Sequence, residues 1–403
     1  MTADARAVGA AGTVDGRAKG TVDARAKGTV NARAKGTVLL AAPRGFCAGV
    51  DRAVLIVEQA LERFGPPVYV RRQIVHNTHV VAELGARGAV FVEELGEVPA
   101  GSVAVLSAHG VAPSVRAEAE ARELTVIDAT CPLVAKVHAE ALRFARDGYT
   151  IALIGHEDHE EVVGTRGEVP ESIRIVSGPA DVEKLELELG VGGTGGGGAV
   201  GVGAGAGGGA AGAGLVWLSQ TTLAVDEVAQ TADALRARFP RLVDPPGDDI
   251  CYASQNRQNA VKAIAARCDL LLVVGSANSS NSIRLVEVAR GAGARAAYLV
   301  DDGAGLRDEW FAEGAGDGSG GGGGDESSSG VGAGSGSGGG IGSGAGSDAV
   351  RTVGVTAGAS APEYAVRDLL KALARRGFAD VEEVTSAVEE VTFELPARLR
   401  APK

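Results

Sequence analysis

The chain reads as an α/β protein with largely parallel sheets, and three observations lead there. Short apolar, β-branched runs alternate with amphipathic helical stretches along most of its length. Gly65, Gly148 and Gly377 each follow a helical stretch and read as C-terminal stops. Polar residues gather where the apolar runs end, which is where ligands bind in open α/β sheets.

The elements follow in order. An apolar run at 37–42 leads to a helical stretch at 50–64 that stops at Gly65. Strand-like runs at 68–75, 89–92, 103–108 and 124–127 come next. A helix is predicted over 132–147, ending at Gly148, then strands at 151–154, 173–176 and 215–218, and a helix at 225–239. The last third gives helix 256–268, strand 270–274, helix 283–292, strands 296–300 and 352–356, and helix 363–376 before Gly377. Runs of four to eight apolar residues are too short for helices, and β-branched content favours strands.

Each strand end carries a similar polar signature. Examples are Ser107-Ala108-His109-Gly110, Gly155-His156-Glu157-Asp158-His159, Ser219-Gln220-Thr221-Thr222, the stretch from Gly275 to Asn281, and Thr356-Ala357-Gly358-Ala359-Ser360. Loops are polar in any case, but the recurrence of His, Ser and Asn at successive strand ends points to one shared ligand site.

Composition narrows the function. The formal net charge of −12 argues against nucleic acid, whose backbone needs clustered Lys and Arg. No apolar run is long enough to span a membrane, and no secretory signal precedes the core, so a membrane partner is not expected. Four widely spaced cysteines fit a reducing cytoplasm better than a disulfide framework. Residues 1–36 repeat a small, polar eight-residue unit and are expected to form a disordered tail. Much of the excess behind the 61 glycines lies in two insertions, at about 189–214 and 314–348. The remaining roughly 300 residues suit two or three domains.

Three cysteines share one setting. Cys47, Cys131 and Cys251 each end a short apolar or turn segment and open a helical stretch, where the helix N-terminus favours thiolate. No CxxC pair exists, so a zinc ribbon or ferredoxin-type loop is excluded. The trio fits either an iron–sulfur cluster with three protein ligands or three packed thiols. Cys268 runs into a strand and reads as a packed thiol.

An anion site is also legible. The Ser/Asn-rich stretch to Asn281 opens a helix, and Ser360-Ala361-Pro362-Glu363 matches a capping box at another. The two helix starts together could hold a phosphate or diphosphate. His76, His109, His156 and His159 stand at strand ends, where a partly charged imidazole can donate to phosphate oxygens. His79 and His138 fall in helical stretches and read as packing or surface residues. Glu161 is a candidate proton donor, although an acidic pair such as Glu160-Glu161 is most often a solvated turn.

Together these segments resemble the 4-hydroxy-3-methylbut-2-enyl diphosphate reductase family, which ends the methylerythritol phosphate route to isoprenoids. The resemblance rests on Arg44-Gly45-Phe46-Cys47-Ala48-Gly49-Val50, Ile74-Val75-His76-Asn77, Ser107-Ala108-His109-Gly110-Val111, Asp128-Ala129-Thr130-Cys131-Pro132-Leu133-Val134 and Gln220-Thr221-Thr222-Leu223. It continues through Asp249-Ile250-Cys251-Tyr252-Ala253, Asn256-Arg257-Gln258, Gly275 to Asn281 and Val355 to Pro362, in the family's order from about residue 37 onward.

The resemblance implies a three-lobed, trefoil-like arrangement of α/β domains around a central [4Fe–4S] cluster, one per subunit. The lobes would span 37–130, 131–248 and 249–390, with a C-terminal tail at 391–403. Cys47, Cys131 and Cys251 would hold the cluster and leave one iron without a protein ligand. His76, His109, His159, Ser279, Ser280, Asn281 and Ser360 match the diphosphate-binding positions, Thr221 the position that meets the substrate hydroxyl, and Glu161 the proton-supplying acid. The implied reaction is reductive dehydroxylation of the allylic diphosphate to isopentenyl and dimethylallyl diphosphate, with electrons from a ferredoxin or flavodoxin. A non-redox [4Fe–4S] hydro-lyase acting on a phosphorylated small molecule is the alternative. One departure stands out: the family usually reads His-Pro-Glu where this chain has His159-Glu160-Glu161, and an added carboxylate beside a diphosphate is unfavourable unless it points away.

Overall fold

The computed structural model describes residues 36–190, 214–311 and 349–400. The repeat tail at 1–36 and the glycine-rich stretches at 189–214 and 314–348 fall, but for their edge residues, outside the described residues.

In chain order the elements are β1 (Thr37–Ala42), α1 (Ala48–Phe64), β2 (Val68–Arg71), α2 (Thr78–Ala86), β3 (Ala89–Val92), β4 (Val103–Leu106), α3 (Pro113–Ala121) and β5 (Thr125–Asp128). Then come α4 (Pro132–Arg146), β6 (Thr150–Ile154), α5 (Glu160–Glu168), β7 (Ile173–Val176), α6 (Val182–Glu188), β8 (Leu215–Ser219) and α7 (Val225–Arg238). The last group is α8 (Tyr252–Ala265), β9 (Leu270–Val274), α9 (Ser280–Gly291), β10 (Ala297–Val300), β11 (Thr352–Ala357), α10 (Glu363–Arg375) and β12 (Asp380–Thr385).

The strands form three sheets, ordered β10-β9-β11-β1-β12, β3-β2-β4-β5 and β7-β6-β8. Every pairing between these strands is parallel. The fold is therefore the α/β class the sequence predicts. In such sheets the helices cover both faces, and all strand carboxyl ends lie on one edge.

Three details differ from the sequence reading. First, β1 joins the sheet of the C-terminal strands rather than that of the 37–130 segment, pairing with both β11 and β12. Its alternate residues explain why. Val38 and Leu40 pack into the core that includes Ala365 and Leu369 of α10, while Leu39 and Ala41 pack against Val261 and Ile264 of α8. A strand apolar on both faces needs layers on both sides. Second, β12 is an exposed, acidic edge strand that apolar patterning could not reveal; Glu382 and Glu383 pair with Arg267 and Arg44. Third, the predicted runs at 68–75 and 103–108 leave their ladders at Arg71 and Leu106, and their remainders continue as strand-end loops joined by Ala108 N–H donating to the Ile74 carbonyl at 3.2 Å.

Candidate active site

The carboxyl ends of strands from all three sheets converge on one cavity of about 100 Å³. Cys47, Cys131 and Cys251 line it together, so the structure brings the three sequence-distant cysteines to one place. They stand at the N-caps of α1, α4 and α8. Each cysteine's backbone N–H is held by a different strand-end loop: Cys47 donates to Ala359 O (3.3 Å), Cys131 to Ala108 O (2.9 Å) and Cys251 to Thr221 O (3.1 Å). Gly49 makes room for the sulfurs. A Cβ there would lie 2.8 Å from Cys131 Sγ and 3.8 Å from Cys47 Sγ.

Helix starts alone would lower these thiol pKa values, but burial wins. It raises Cys47, and it pushes Cys131 to about 12 and Cys251 to about 11, with the neighbouring cysteines adding to the rise in the latter two. Behind the thiols lies Arg257, fully buried. Its guanidinium donates to Gly45 O (3.0 and 2.6 Å), Phe46 O (3.2 Å) and Ala253 O (2.9 Å), and it pairs with Glu389 at 3.0 Å. One side chain thereby fixes the backbone beside both Cys47 and Cys251.

The opposite end of the cavity is polar. His76, His109, His159, Ser279, Ser280, Asn281 and Ser360 all line it. His76 and His109 stack face to face at 4.0 Å, and His159 meets both edge-on, at 5.8 and 6.0 Å. Burial and the neighbouring imidazoles push His76 and His159 down to about 3, so these two are neutral donors in the ligand-free protein, not the partly charged groups expected. His159 Nδ1 accepts from Glu161 N–H at 3.2 Å, which leaves its proton on Nε2.

Ser279 caps α9 through Ser282 N–H. Ser360 does not form the predicted capping box. The N-cap of α10 is Pro362, and the Ser360 hydroxyl instead donates to His76 O at 2.9 Å, tying two sheets together. Asn281 is fixed from both sides: Oδ1 accepts from Ala359 N–H (2.8 Å) and Nδ2 donates to Ser254 Oγ (3.3 Å).

Between the two ends sits Glu161, 2 % exposed. Its carboxyl accepts from Thr221 N–H at 2.6 Å and from the Thr221 hydroxyl at 3.1 Å. Burial raises it to about 7 even though those two bonds pull the other way. A carboxyl poised near neutrality in a cavity is suited to proton transfer. Its neighbour Glu160 is also no solvated turn: it faces His109 Nδ1 at 3.4 Å and Arg72 at 3.8 Å.

His76, His109 and Glu160 offer three possible metal-ligating atoms within 4.8 Å of one another. Stacked, nearly parallel imidazoles aim their lone pairs side by side rather than at a single ion, which disfavours chelation there.

The remaining residues singled out in the sequence lie off the cavity. Cys268 is buried, with its thiol against Ile264 O at 3.1 Å. His79 pairs with Asp302 at 3.4 Å, His138 with Glu168 at 2.9 Å, and His156 contacts Arg284. Sequence reasoning missed the supporting roles of Arg257, Gln220, Thr222 and Ser254. Gln220 Nε2 reaches Thr222 Oγ1 (2.7 Å) and Ser280 Oγ (3.3 Å), and Ser254 N–H donates to Cys251 Sγ (3.2 Å). Gln220, Thr222 and Arg257 stood inside recognised segments and Ser254 beside one, but with no role legible in the residues themselves.

Comparison with known proteins agrees with this geometry. The family model "LytB protein" matches residues 38–374. A 4-hydroxy-3-methylbut-2-enyl diphosphate reductase of Acidothermus cellulolyticus is 53% identical over 362 residues, covering 90% of this chain and 89% of the relative. One from Streptomyces coelicolor is 51% identical, covering 90% of each. The solved E-1-hydroxy-2-methyl-but-2-enyl-4-diphosphate reductase of Plasmodium falciparum superposes with a TM-score of 0.73 at 32% identity, covering 90% of this chain and 96% of that one. With more than half of its length matched by the family model, and long relatives identical at about half of their positions, this chain belongs to the LytB protein family.

Proposed function

We propose that the chain removes the hydroxyl of (E)-4-hydroxy-3-methylbut-2-enyl diphosphate by two-electron reduction, giving isopentenyl and dimethylallyl diphosphate. Substrate, two electrons and two protons become product and water. The reading is supported by the names of its relatives and, above all, by one cavity that joins three partly buried thiols, a carboxyl poised near neutrality and a polar, imidazole-lined end.

The thiols fit an iron–sulfur cluster. They are soft donors set without close sequence spacing, they face one cavity, and a glycine stands where a Cβ would crowd the Cys131 sulfur. Cys47, Cys131 and Cys251 would hold a [4Fe–4S] cluster, and the buried protons they carry leave when metal binds. When bound, the cluster supplies electrons, delivered by a ferredoxin or flavodoxin, and a Lewis-acidic iron.

The chain's own residues do the rest. His76, His109, His159, Ser279, Ser280, Asn281 and Ser360 bind the diphosphate through imidazole, hydroxyl and amide groups and the start of α9. Thr221, held by Glu161, orients the substrate hydroxyl. Glu161, raised to about 7, keeps a protonated fraction at neutral pH, and that form gives its proton to the departing oxygen.

The test is anaerobic purification with iron and sulfide analysis, followed by turnover of the diphosphate with and without a reductant. Coloured, iron-containing protein that turns over only with reductant is expected. Turnover without reductant would identify a hydro-lyase instead, and iron-free protein would overturn the cluster.

A further inference from the structure

Glu160 turns its carboxylate toward His109 behind the histidine end of the cavity, where a negative charge ought to repel an anion. The carboxylate stands 3.4 Å from His109 Nδ1, and the Ser107 hydroxyl donates to it at 3.4 Å. Arg72 lies 3.8 Å behind it. His109 Nδ1 is buried and makes no hydrogen bond of good geometry with the rest of the chain, so the carboxylate is the acceptor facing it. Burial alone would raise Glu160, but His109, His76 and Arg72 outweigh it and hold the carboxyl at about 2, ionised at any working pH. The helix start tolerates it, since an acid at the first helical position of α5 suits the macrodipole.

We propose that Glu160 is a positioning residue for anion binding: its carboxylate faces Nδ1 of His109, fixes the orientation of that ring and turns its Nε2 edge toward a phosphate oxygen. This rests on the reading of the histidine end as the diphosphate site. His76, stacked on His109, and His159, edge-on to it, stay neutral; Arg72 offsets the carboxylate from behind, and Glu161 is turned toward Thr221. The ring of His109 is thus the group through which the carboxylate bears on the ligand. Glu160 acts through it and touches no reacting atom.

The experiment measures the Kd of inorganic diphosphate for the cluster-loaded protein by calorimetry between pH 6 and 8, with KM and kcat of the reductase reaction alongside. Glu160→Gln is expected to weaken binding about tenfold at pH 8, the loss of one charge-assisted hydrogen bond. KM should move more than kcat. Glu160→Pro, which suits the same helix position, is expected to behave alike and guards against a fold-specific effect of Gln. Binding that is unchanged or tighter in both variants would overturn the inference. His109→Ala separates the two readings. If it weakens binding while the Glu160 variants do not, only the role of Glu160 fails; if it has no effect, the histidine end is not the anion site and both fail.

Discussion

The two ends of the cavity treat charge alike but ligands differently. At the sulfur end the lining is thiol, aliphatic and backbone, and the positive charge of Arg257 sits one layer behind, spent on carbonyls next to Cys47 and Cys251. At the anion end the lining is imidazole, hydroxyl and amide, and again the guanidinium, Arg72, stands behind a carboxylate rather than in the cavity. No Lys or Arg lines the cavity itself among the described residues. An exposed cation in a small cavity would bind any anion tightly and hold its own water; neutral donors bind by geometry and leave the field to be set from the second layer. Glu161 lies at the junction, and its sequence neighbour Glu160 shows what the difference means: one step along the same helix start, one carboxyl is raised to about 7 by burial and the other held at about 2 by His109, His76 and Arg72.

The sharpest way to break this comparison is at the junction. Glu161→Gln is expected to lower kcat by about 10²- to 10⁴-fold, the usual worth of a positioned acid, while iron content stays at the parent level. In the parent, kcat/KM should fall as pH rises past about 7, because the donating form is the protonated one and is lost through that pKa. That limb should vanish in the Gln variant; its survival would move the acid elsewhere.

At the sulfur end, Arg257→Met leaves three carbonyls without this donor and leaves Glu389 to Asn256 Nδ2, at 3.1 Å. A loss of about 3–5 kcal/mol is expected for breaking such a buried pair, read by denaturant unfolding. A change below about 1 kcal/mol would mean that the guanidinium is dispensable to the sulfur end. Gly49→Ala tests the sulfurs' space directly. Alanine in a helix should stabilise by up to about 1 kcal/mol, so iron content lowered severalfold in a normally folded variant isolates the clash with Cys131 Sγ. Unchanged iron content would show that the cysteines have slack.

The smallest effect belongs to the anion end. Ser360→Ala removes a hydroxyl that donates to His76 O, and a stability loss of about 0.5–1.5 kcal/mol is expected with a modest rise in KM. A drop in kcat without a change in KM would place Ser360 in the chemistry instead.

Much of the candidate site was legible because its residues sit in short, local motifs. The three cysteines, the strand-end histidines and Glu161 each announced themselves by residue type at the end of an apolar run. What was not legible depends on partners distant in sequence. Ser360 looks like a cap by its neighbours, yet its hydroxyl is used by His76, 284 residues away. Glu160 looks like a solvated turn, yet His109 and Arg72 meet it. Arg257 is one charge in an ordinary helical pattern until the loop before Cys47 folds over it.

By itself the sequence determined the alternation of strands and helices, the cysteine positions at helix starts and the polar strand ends, because periodicity, capping and turn chemistry act over a few residues. Only the tertiary structure decided that β1 lies between β11 and β12, that an acidic segment becomes the edge strand β12, and that two adjacent glutamates ionise five pH units apart in round terms, at about 2 and about 7. Strand pairing and desolvation depend on what stands across the gap, and nothing in a residue's immediate neighbours along the chain specifies that.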